Sequence, residues 1–288
     1  MSLDETIESY REYLLTLPEH RRQFEQRLQD HPPAARAEAA IFAFLRAEGC
    51  EPVLNEDPAT GGADFCCGQP KPFVVEVTSI EDVVMAARAG TDADLPANGE
   101  GAYLDMEQVL NLVRTTVSNK AAQLANYPVP RLLAICSEYW GASMFFGPGG
   151  AAEIMYGGSI INVPVAADGV GAPAQLATEL QEAPFFRIKK GVAEACRQSI
   201  SALLLVHLDQ NACHVVGLLH PAATIPFPIS NLPTIPFGKV AWPTKTLQVE
   251  WMLGAPQQAR FNHERVTLTN EELREGVQTS QNQCPPAH

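Results

Sequence analysis

Apolar residues recur with two different periods in the first half of the chain. Residues 34–48 and 104–126 carry stripes at helical spacing, which predicts two helices that each bury one face. The stripes consist of Ile41, Phe42 and Leu45 in the first segment and of Met106, Leu110, Val113, Val117 and Leu124 in the second. Between them, residues 65–67 and 73–78 are apolar runs of strand-forming residues separated by turn residues. The pattern predicts a helix, a β-hairpin and a second helix.

The remaining apolar runs extend this pattern into a larger α/β fold. Strands are predicted at residues 131–136, 200–208, 213–219 and 246–252. The second and third of these are joined by a polar turn and predict a hairpin that extends the sheet. One or two helices are predicted over residues 4–30 and end before His31. Further helices are predicted at residues 81–88 and 192–199. The Gly-Pro-Gly-Gly sequence at 147–150 is interpreted as a loop before a helix that starts at Ala151.

The order of these elements predicts one elaborated domain with additions at both ends. Residues 1–31 form a helical arm or cap, in which Tyr10, Leu14, Leu17 and Phe24 are the apolar positions. Residues 32–268 form the α/β domain, with insertions at 79–103 and 139–192. Residues 269–288 are predicted to be a disordered tail, because the end of the chain is polar.

Two carboxylates are predicted to lie side by side on the first hairpin. If the hairpin is centred near Pro70, Asp64 lies opposite Glu76. Side chains opposite each other on one face of an antiparallel pair have Cβ atoms about 5 Å apart, which lets two carboxylates share one cation. Alternation along the strand places Glu76 on the face of Val74 and Thr78, and places Phe73, Val75 and Val77 on the other face.

Each of the two predicted helices carries a charged residue on its apolar stripe. Lys120 lies on the stripe of the second helix, and an ammonium there must either reach the edge of the core or meet a carboxylate. Asp64 and Glu76 are the candidate partners, and Gln123 is close enough along the helix to reach the same place. Glu38 lies on the stripe of the first helix and is a third inward-facing carboxylate.

This arrangement resembles the PD-(D/E)XK nuclease superfamily over residues 34–138. The resemblance implies a restriction-endonuclease-like core of a helix, a three-strand meander, a helix and a strand. It also implies that Asp64 and Glu76 bind Mg²⁺ and that Glu38 is the carboxylate that some members place on the first helix. Two positions differ, because Thr78 stands where the superfamily has its lysine and Ala63 replaces the proline before the aspartate. Lys120 with Gln123 resembles the variant in which the lysine has moved to the following helix.

The predicted chemistry is metal-dependent hydrolysis of a phosphodiester, with DNA as the expected substrate. Asp64, Glu76 and the backbone carbonyl of Val77 would hold Mg²⁺ or Mn²⁺, because such cations need few protein ligands when water and phosphate oxygens complete the shell. The cation would polarise a phosphoryl oxygen and lower the pKa of a bound water. Lys120 would position that water or offset the developing charge.

Composition supports a sizeable core but opposes a simple nucleic-acid binder. The chain has 288 residues, 46% of them hydrophobic, and a formal net charge of -13. Since phosphate contacts depend on basic surface, a nuclease needs a local cationic patch. The first candidate is residues 185–190, where Arg187, Lys189 and Lys190 are interleaved with aromatic residues. The arginines of the N-terminal helices, Arg11, Arg21, Arg22 and Arg27, alternate with glutamates and are interpreted as solvated surface.

Other function classes find little support in the chain. Its seven cysteines lack even spacing and no secretory signal precedes the polar N-terminus, which predicts reduced thiols in the cytoplasm. No apolar run approaches the length that a membrane-spanning helix needs. The nucleophile-elbow and dinucleotide-binding glycine motifs are missing from the chain. His207, Cys213, His214 and His220 cluster in sequence, but their spacing is not that of a zinc site.

A second interpretation assigns the protein a binding function instead of catalysis. With Thr78 in the lysine position, the same fold could carry a lapsed site and act as a binding or interaction module. Residues 221–243 combine prolines with apolar residues in what reads as an extended wrapping segment. Its apolar side chains could equally cover a partner protein or the second subunit of a homodimer.

Overall fold

A mixed β-sheet runs through the centre of the protein, with helices packed on both of its faces. The computed structural model describes residues 2–55, 62–68, 70–90, 105–162, 175–178, 183–190, 192–210, 212–242 and 249–253. The helices are α1 (Leu3–Tyr13), α2 (Pro18–Asp30), α3 (Pro32–Ala47), α4 (Asp82–Ala89), α5 (Met106–Leu124), α6 (Ala142–Phe146) and α7 (Pro148–Tyr156). Among the described residues, no helix combines the length and apolarity needed to cross a membrane.

The strands form one large sheet and two small hairpins. They are β1 (Pro52–Leu54), β2 (Phe65–Cys67), β3 (Phe73–Ile80), β4 (Arg131–Ser137), β5 (Ser159–Asn162), β6 (Gln175–Thr178), β7 (Phe186–Lys189), β8 (Val192–Ala195), β9 (Ala202–Leu208), β10 (Cys213–Leu219), β11 (Pro236–Lys239) and β12 (Glu250–Leu253). In the described residues, the large sheet has eight strands in the order β1-β2-β3-β4-β9-β10-β11-β12. The α/β class predicted from the sequence is confirmed.

Parallel strands form the middle of the large sheet. β3, β4 and β9 run parallel, while β1, β2 and β3 form an antiparallel meander at one side. Every residue of β4 and β9 is buried, as expected for strands covered on both faces. β9 and β10 form the predicted antiparallel hairpin and extend the sheet beyond β4.

Alternation along the strands divides the core into two layers. Val74 packs on the layer formed with α4 to α7, which we call the α5 face, and Phe73 and Val75 pack on the layer formed with α1 to α3, which we call the α3 face. This is the predicted alternation, and it gives Glu76 to the α5 face together with Val74. The layers lie on opposite sides of the same sheet.

The N-terminal helices are part of the α3-face core. Tyr10, Leu14 and Phe24 are buried, and the ring of Tyr10 lies 5.0 Å from that of Phe24 and 4.9 Å from that of Phe42. The prediction of amphipathic helices that end before His31 is confirmed, with a short 3-10 turn between α1 and α2. These helices cover α3 and belong to the same compact unit as the sheet.

Two local predictions are wrong. Residues 192–199, predicted to be helical, contain β8, because Val192–Ala195 pairs with β7 in a hairpin. The glycine sequence at 147–150 is not only a loop, since α7 starts at Pro148, a residue whose fixed φ suits the first position of a helix. For residues 192–195 the neighbouring strand, which a local pattern does not include, decides the structure, whereas for α7 the signal is the local proline at the first helical position. β3 also continues two residues into the insertion predicted from residue 79.

The proline-rich segment packs on the protein itself. The buried apolar residues of this part of the chain are Phe227, Leu232, Ile235, Phe237 and Val240. β11 pairs in parallel with β10, and β12 follows at Glu250–Leu253, near the predicted last strand. The described part of residues 221–243 therefore covers this protein's own core. The predicted disordered tail at 269–288 lies outside the described residues.

Replacing Gly150 tests the corrected start of α7. A Cβ at Gly150 would lie 2.3 Å from the carbonyl oxygen of Phe145 and 2.4 Å from that of Met144. Backbone atoms cannot move aside cheaply, so Gly150→Ala should lower the free energy of unfolding by about 1–3 kcal/mol. A Cβ at Gly149 meets nothing within 4 Å, so Gly149→Ala should be neutral or stabilise by up to about 1 kcal/mol. Urea denaturation measures both, and equal effects would contradict this packing of α7 on α6.

Candidate functional site

A cleft of about 370 Å³ opens beside the first residue of β2, where β3 continues past its partner strand. Helices from both faces of the sheet reach it, α2 and α3 from one face and α5 from the other. Its lining residues are Arg27, Ala34, Glu38, Gly62, Asp64, Glu76, Val77, Thr78, Ser79, Lys120 and Gln123. All the residues that the sequence singled out as catalytic or metal-binding candidates are in this set. The cleft therefore brings together side chains that are far apart in the chain.

The hairpin holds Asp64 beside the backbone of β3. Phe65 pairs with Val75, so Asp64 precedes β2 at the position opposite Glu76, as predicted for a turn centred near Pro70. Carboxylate Oδ2 of Asp64 accepts a hydrogen bond of 2.6 Å from the backbone N–H of Val77. The side chain of Asp64 thus accepts a hydrogen bond from the backbone of β3 just before the start of β2. This bond sets the carboxylate next to Val77, whose carbonyl is the predicted backbone ligand.

Glu76 is a buried carboxylate with donors from α5 on both oxygens. It is 3% exposed. Lys120 Nζ donates to its Oε1 at 2.6 Å, and Gln123 Nε2 donates to its Oε2 at 2.9 Å. A buried charge needs such partners, because the loss of hydration is otherwise uncompensated. The prediction that Lys120 meets a carboxylate is confirmed.

Gln123 also links α5 to the loop that carries Asp64. Its Nε2 donates to the carbonyl oxygen of Gly62 at 2.7 Å, and its Oε1 lies 3.4 Å from Lys120 Nζ. One amide therefore contacts the strand carboxylate, the lysine and the loop before β2. Gln123 fixes the relative positions of the other groups.

Glu38 enters the cleft from α3 and is held by the N-terminal helices. Its Oε1 accepts a hydrogen bond of 2.6 Å from the hydroxyl of Tyr10, and its Oε2 accepts one from Arg27. Burial, followed by the negative charges of Glu38 and Asp64, raises the pKa of Tyr10, so the hydroxyl remains a donor. The inward orientation predicted for Glu38 is confirmed, with 6% of the residue exposed.

Tyr10 and Arg27 contact this site although the sequence pattern does not predict it. The pattern predicts Tyr10 only as an apolar position of an N-terminal helix and Arg27 as solvated surface. The one available signal was Glu38, since a carboxylate on an apolar stripe requires donors from another element. The chain does not indicate which donors these are, because they come from helices whose packing on α3 is a tertiary contact.

The site combines three carboxylates with two cations. Oxygen ligands from carboxylates and a backbone carbonyl suit a hard cation such as Mg²⁺ or Mn²⁺, for which one or two protein carboxylates suffice. In the described residues, no three His, Cys, Asp or Glu side chains are grouped as a ready-made metal site. A cation bound at Glu76 would compete with Lys120 for Oε1, which already accepts a hydrogen bond from Lys120 Nζ.

A larger cleft lies at the turn end of the β9–β10 hairpin. Its volume is about 750 Å³, and His207 and His214 line it together with apolar residues such as Phe146 and Val216. The two imidazole rings stack with their centroids 5.9 Å apart, and His214 Nε2 lies 3.4 Å from Asp209. The smaller cleft is the better candidate for chemistry, because it gathers two buried carboxylates and a lysine from three separate elements and a third carboxylate, Asp64, from the loop before β2.

The predicted basic patch is a β-hairpin whose cations already face an acid. Arg187 lies 3.0 Å and Lys189 4.0 Å from Glu194 of β8. Phe185 and Phe186, which precede the three cations in the chain, are buried in the core, so they are not available for stacking on bases. Arg187, Lys189 and the exposed Lys190 remain predicted nucleic-acid contacts through charge alone.

Removing the lysine should expose how strongly Glu76 depends on it. Lys120→Met leaves the buried carboxylate without its cation, and we expect the free energy of unfolding to fall by about 1–3 kcal/mol, because the lysine is partly exposed. The double variant Glu76→Gln with Lys120→Met should recover most of this loss. Lys189→Met, which removes a lysine from an exposed contact, is the control and should be close to neutral. Urea denaturation that gave additive losses in the double variant would contradict the coupling.

Comparison with known proteins adds no assignment. No protein-family model, no curated protein and no solved structure matches this chain. A function must therefore be inferred from the site, from its residue types, geometry and charges.

Proposed function

We propose that this protein is a Mg²⁺- or Mn²⁺-dependent phosphodiester hydrolase that acts on DNA. One observation carries the proposal. Asp64, which directly precedes β2, and Glu76 of β3 lie opposite each other in the register of the hairpin, and they line one cleft with Lys120, which contacts Glu76 at 2.6 Å. Two carboxylates and one lysine in one cleft are the groups that metal-assisted hydrolysis of a phosphodiester uses.

Each residue has a role in this proposal. Asp64, Glu76 and the carbonyl of Val77 would hold the cation, which when bound polarises a phosphoryl oxygen and makes water a better nucleophile. Lys120 would donate from Nζ to the attacking water or to the phosphate oxygen on which negative charge develops. Gln123 would keep Lys120 and the loop at Gly62 in place while the contact with Glu76 is exchanged.

The order of elements supports the resemblance to the PD-(D/E)XK nucleases. α3 is followed by the antiparallel meander β1-β2-β3, then by α4 and α5, and then by β4 parallel to β3. Thr78 and Lys120 line the same cleft, so a lysine from α5 can serve the position that the superfamily fills from the strand. This favours the variant with a relocated lysine over loss of the group.

A binding module with a lapsed site is the second candidate. It is favoured by the pairing within the site, since both oxygens of Glu76 already have donors and Lys120 with Glu76 could be a purely structural ion pair. Its other support is weaker than the sequence indicated, because buried residues of the 221–243 segment pack on this protein's own core. Metal binding separates the two candidates.

Mn²⁺ binding tests the carboxylate site without a substrate. Wild-type protein should bind Mn²⁺ in isothermal titration calorimetry, and Asp64→Asn and Glu76→Gln should each weaken binding by at least about tenfold. Glu194→Gln removes an exposed carboxylate outside the cleft and should leave binding unchanged. Absence of binding in the wild type, or equal binding in all four proteins, would favour the non-catalytic module.

Cleavage should separate the lysine from the metal ligands. Lys120→Met should retain Mn²⁺ binding, since it removes a competitor for Glu76, while cleavage of the scissile bond falls by about 10²–10⁴-fold. The assay uses single-stranded DNA, duplex DNA and RNA with Mn²⁺, and Lys239→Met, which removes an exposed lysine of β11, is the control. Wild-type cleavage rates in Lys120→Met would remove the lysine from the mechanism.

A further inference from the structure

Arg27 reaches the cleft from the side opposite Lys120. It lies on α2, which packs over α3, whereas Lys120 lies on α5 across the sheet. Its side chain is 33% exposed, contacts Glu38 and lines the cleft that also contains Asp64 and Glu76. The carboxylates thus lie between a cation from each face of the sheet.

A half-buried stripe of α2 continues from Arg27 away from the cleft. His20 and Gln23 precede Arg27 at helical spacing and line, with Arg27 and Glu38, a narrow crevice between α2 and β1. The other arginines in the middle of α2, Arg21 and Arg22, are exposed and outside both the cleft and the crevice. One face of α2 is therefore directed along the site.

We propose that this face of α2 binds the phosphate backbone of the substrate, with Arg27 donating to non-bridging oxygens next to the scissile phosphate. This inference rests on the proposed function, since it assigns the second wall of the same cleft. A guanidinium has five N–H donors in a planar fork, so it can contact a carboxylate and a phosphate together. His20 and Gln23 would extend the contact to the neighbouring phosphate.

The charge of the protein explains why a nucleic-acid substrate needs a cation on the α2 side of the cleft, which we call the phosphate wall. The formal net charge is -13 and the bottom of the cleft is acidic, so a polyanion is repelled except where cations line its path. The hairpin with Arg187 and Lys189 is partly neutralised by Glu194, whereas Arg27 stands beside the proposed reaction centre. A cation on each wall can hold a phosphodiester over carboxylates that a metal has neutralised.

The test measures the binding of a short fluorescein-labelled DNA duplex to the protein by fluorescence anisotropy, in a buffer that contains Ca²⁺. A gel run after the titration checks that the duplex is still intact. Arg27→Gln should weaken binding by about tenfold, and the slope of log K against log salt should fall by about one, as expected for one lost phosphate contact. Arg27→Lys keeps the charge and should retain the slope. Arg22→Gln removes an exposed arginine of the same helix and should change neither quantity.

A structural role for Arg27 requires a separate control, because Arg27→Gln also removes a partner of Glu38. Tyr10→Phe removes the hydroxyl that donates to Glu38 Oε1, and because Tyr10 does not line the cleft it should leave DNA binding unchanged. Binding by Arg27→Gln equal to that of Arg22→Gln would overturn the proposal, as would an equal loss in Tyr10→Phe or an unchanged salt slope. Failure of the wild type to bind the duplex would also overturn it.

The two proposals fail in different experiments. If Mn²⁺ binding depends on Asp64 and Glu76 while DNA binding is independent of Arg27, the metal site stands and the phosphate wall is refuted. If DNA binding depends on Arg27 while the wild type binds no Mn²⁺, the wall stands and hydrolysis by this site is refuted.

Discussion

A buried carboxylate on a central strand must receive hydrogen bonds from the element packed above it. Because Glu76 is such a carboxylate, it determines which side chains of α5 line the cleft. Lys120 and Gln123 meet it from α5, and Gln123 extends the network to Gly62. A buried ion pair is often no more stable than well-packed apolar residues in its place, although breaking it costs about 3–5 kcal/mol. The ion pair is therefore weak evidence for stability by itself, and it agrees with the proposed role of Glu76 and Lys120 in the site.

The position of the cleft follows from the unequal lengths of two paired strands. β2 pairs with β3 only as far as Val75, whereas β3 continues beside β4 through Ile80. Beyond β2, the carboxylate of Asp64 accepts the N–H of Val77. At this edge of β3 the hydrogen-bond acceptor is a side chain and not the backbone of a paired strand. The cleft is the open space beside that side chain. A longer β2 would close this edge with backbone pairing and leave no room for a ligand.

The N-terminal helices connect the α3-face core to the same cleft. Tyr10 of α1 and Arg27 of α2 both donate to Glu38, so a carboxylate on α3 is oriented by two helices that precede it in the chain. Tyr10 is packed among aromatic rings and is 1% exposed, which makes it a rigid donor. These helices are therefore linked to the site by hydrogen bonds as well as by apolar packing.

The sequence by itself determined the features that depend on local period and register. Strand alternation places Glu76 on the same face of β3 as Val74, and the turn near Pro70 places Asp64 opposite Glu76. Helical spacing places Lys120 and Glu38 on buried stripes. Each of these relations involves only neighbours along the chain. Only the tertiary structure decided which donors meet Glu38, that Arg27 reaches the cleft, and that residues 192–195 form a strand. These outcomes depend on contacts between segments far apart in the chain, where packing and desolvation override local preference.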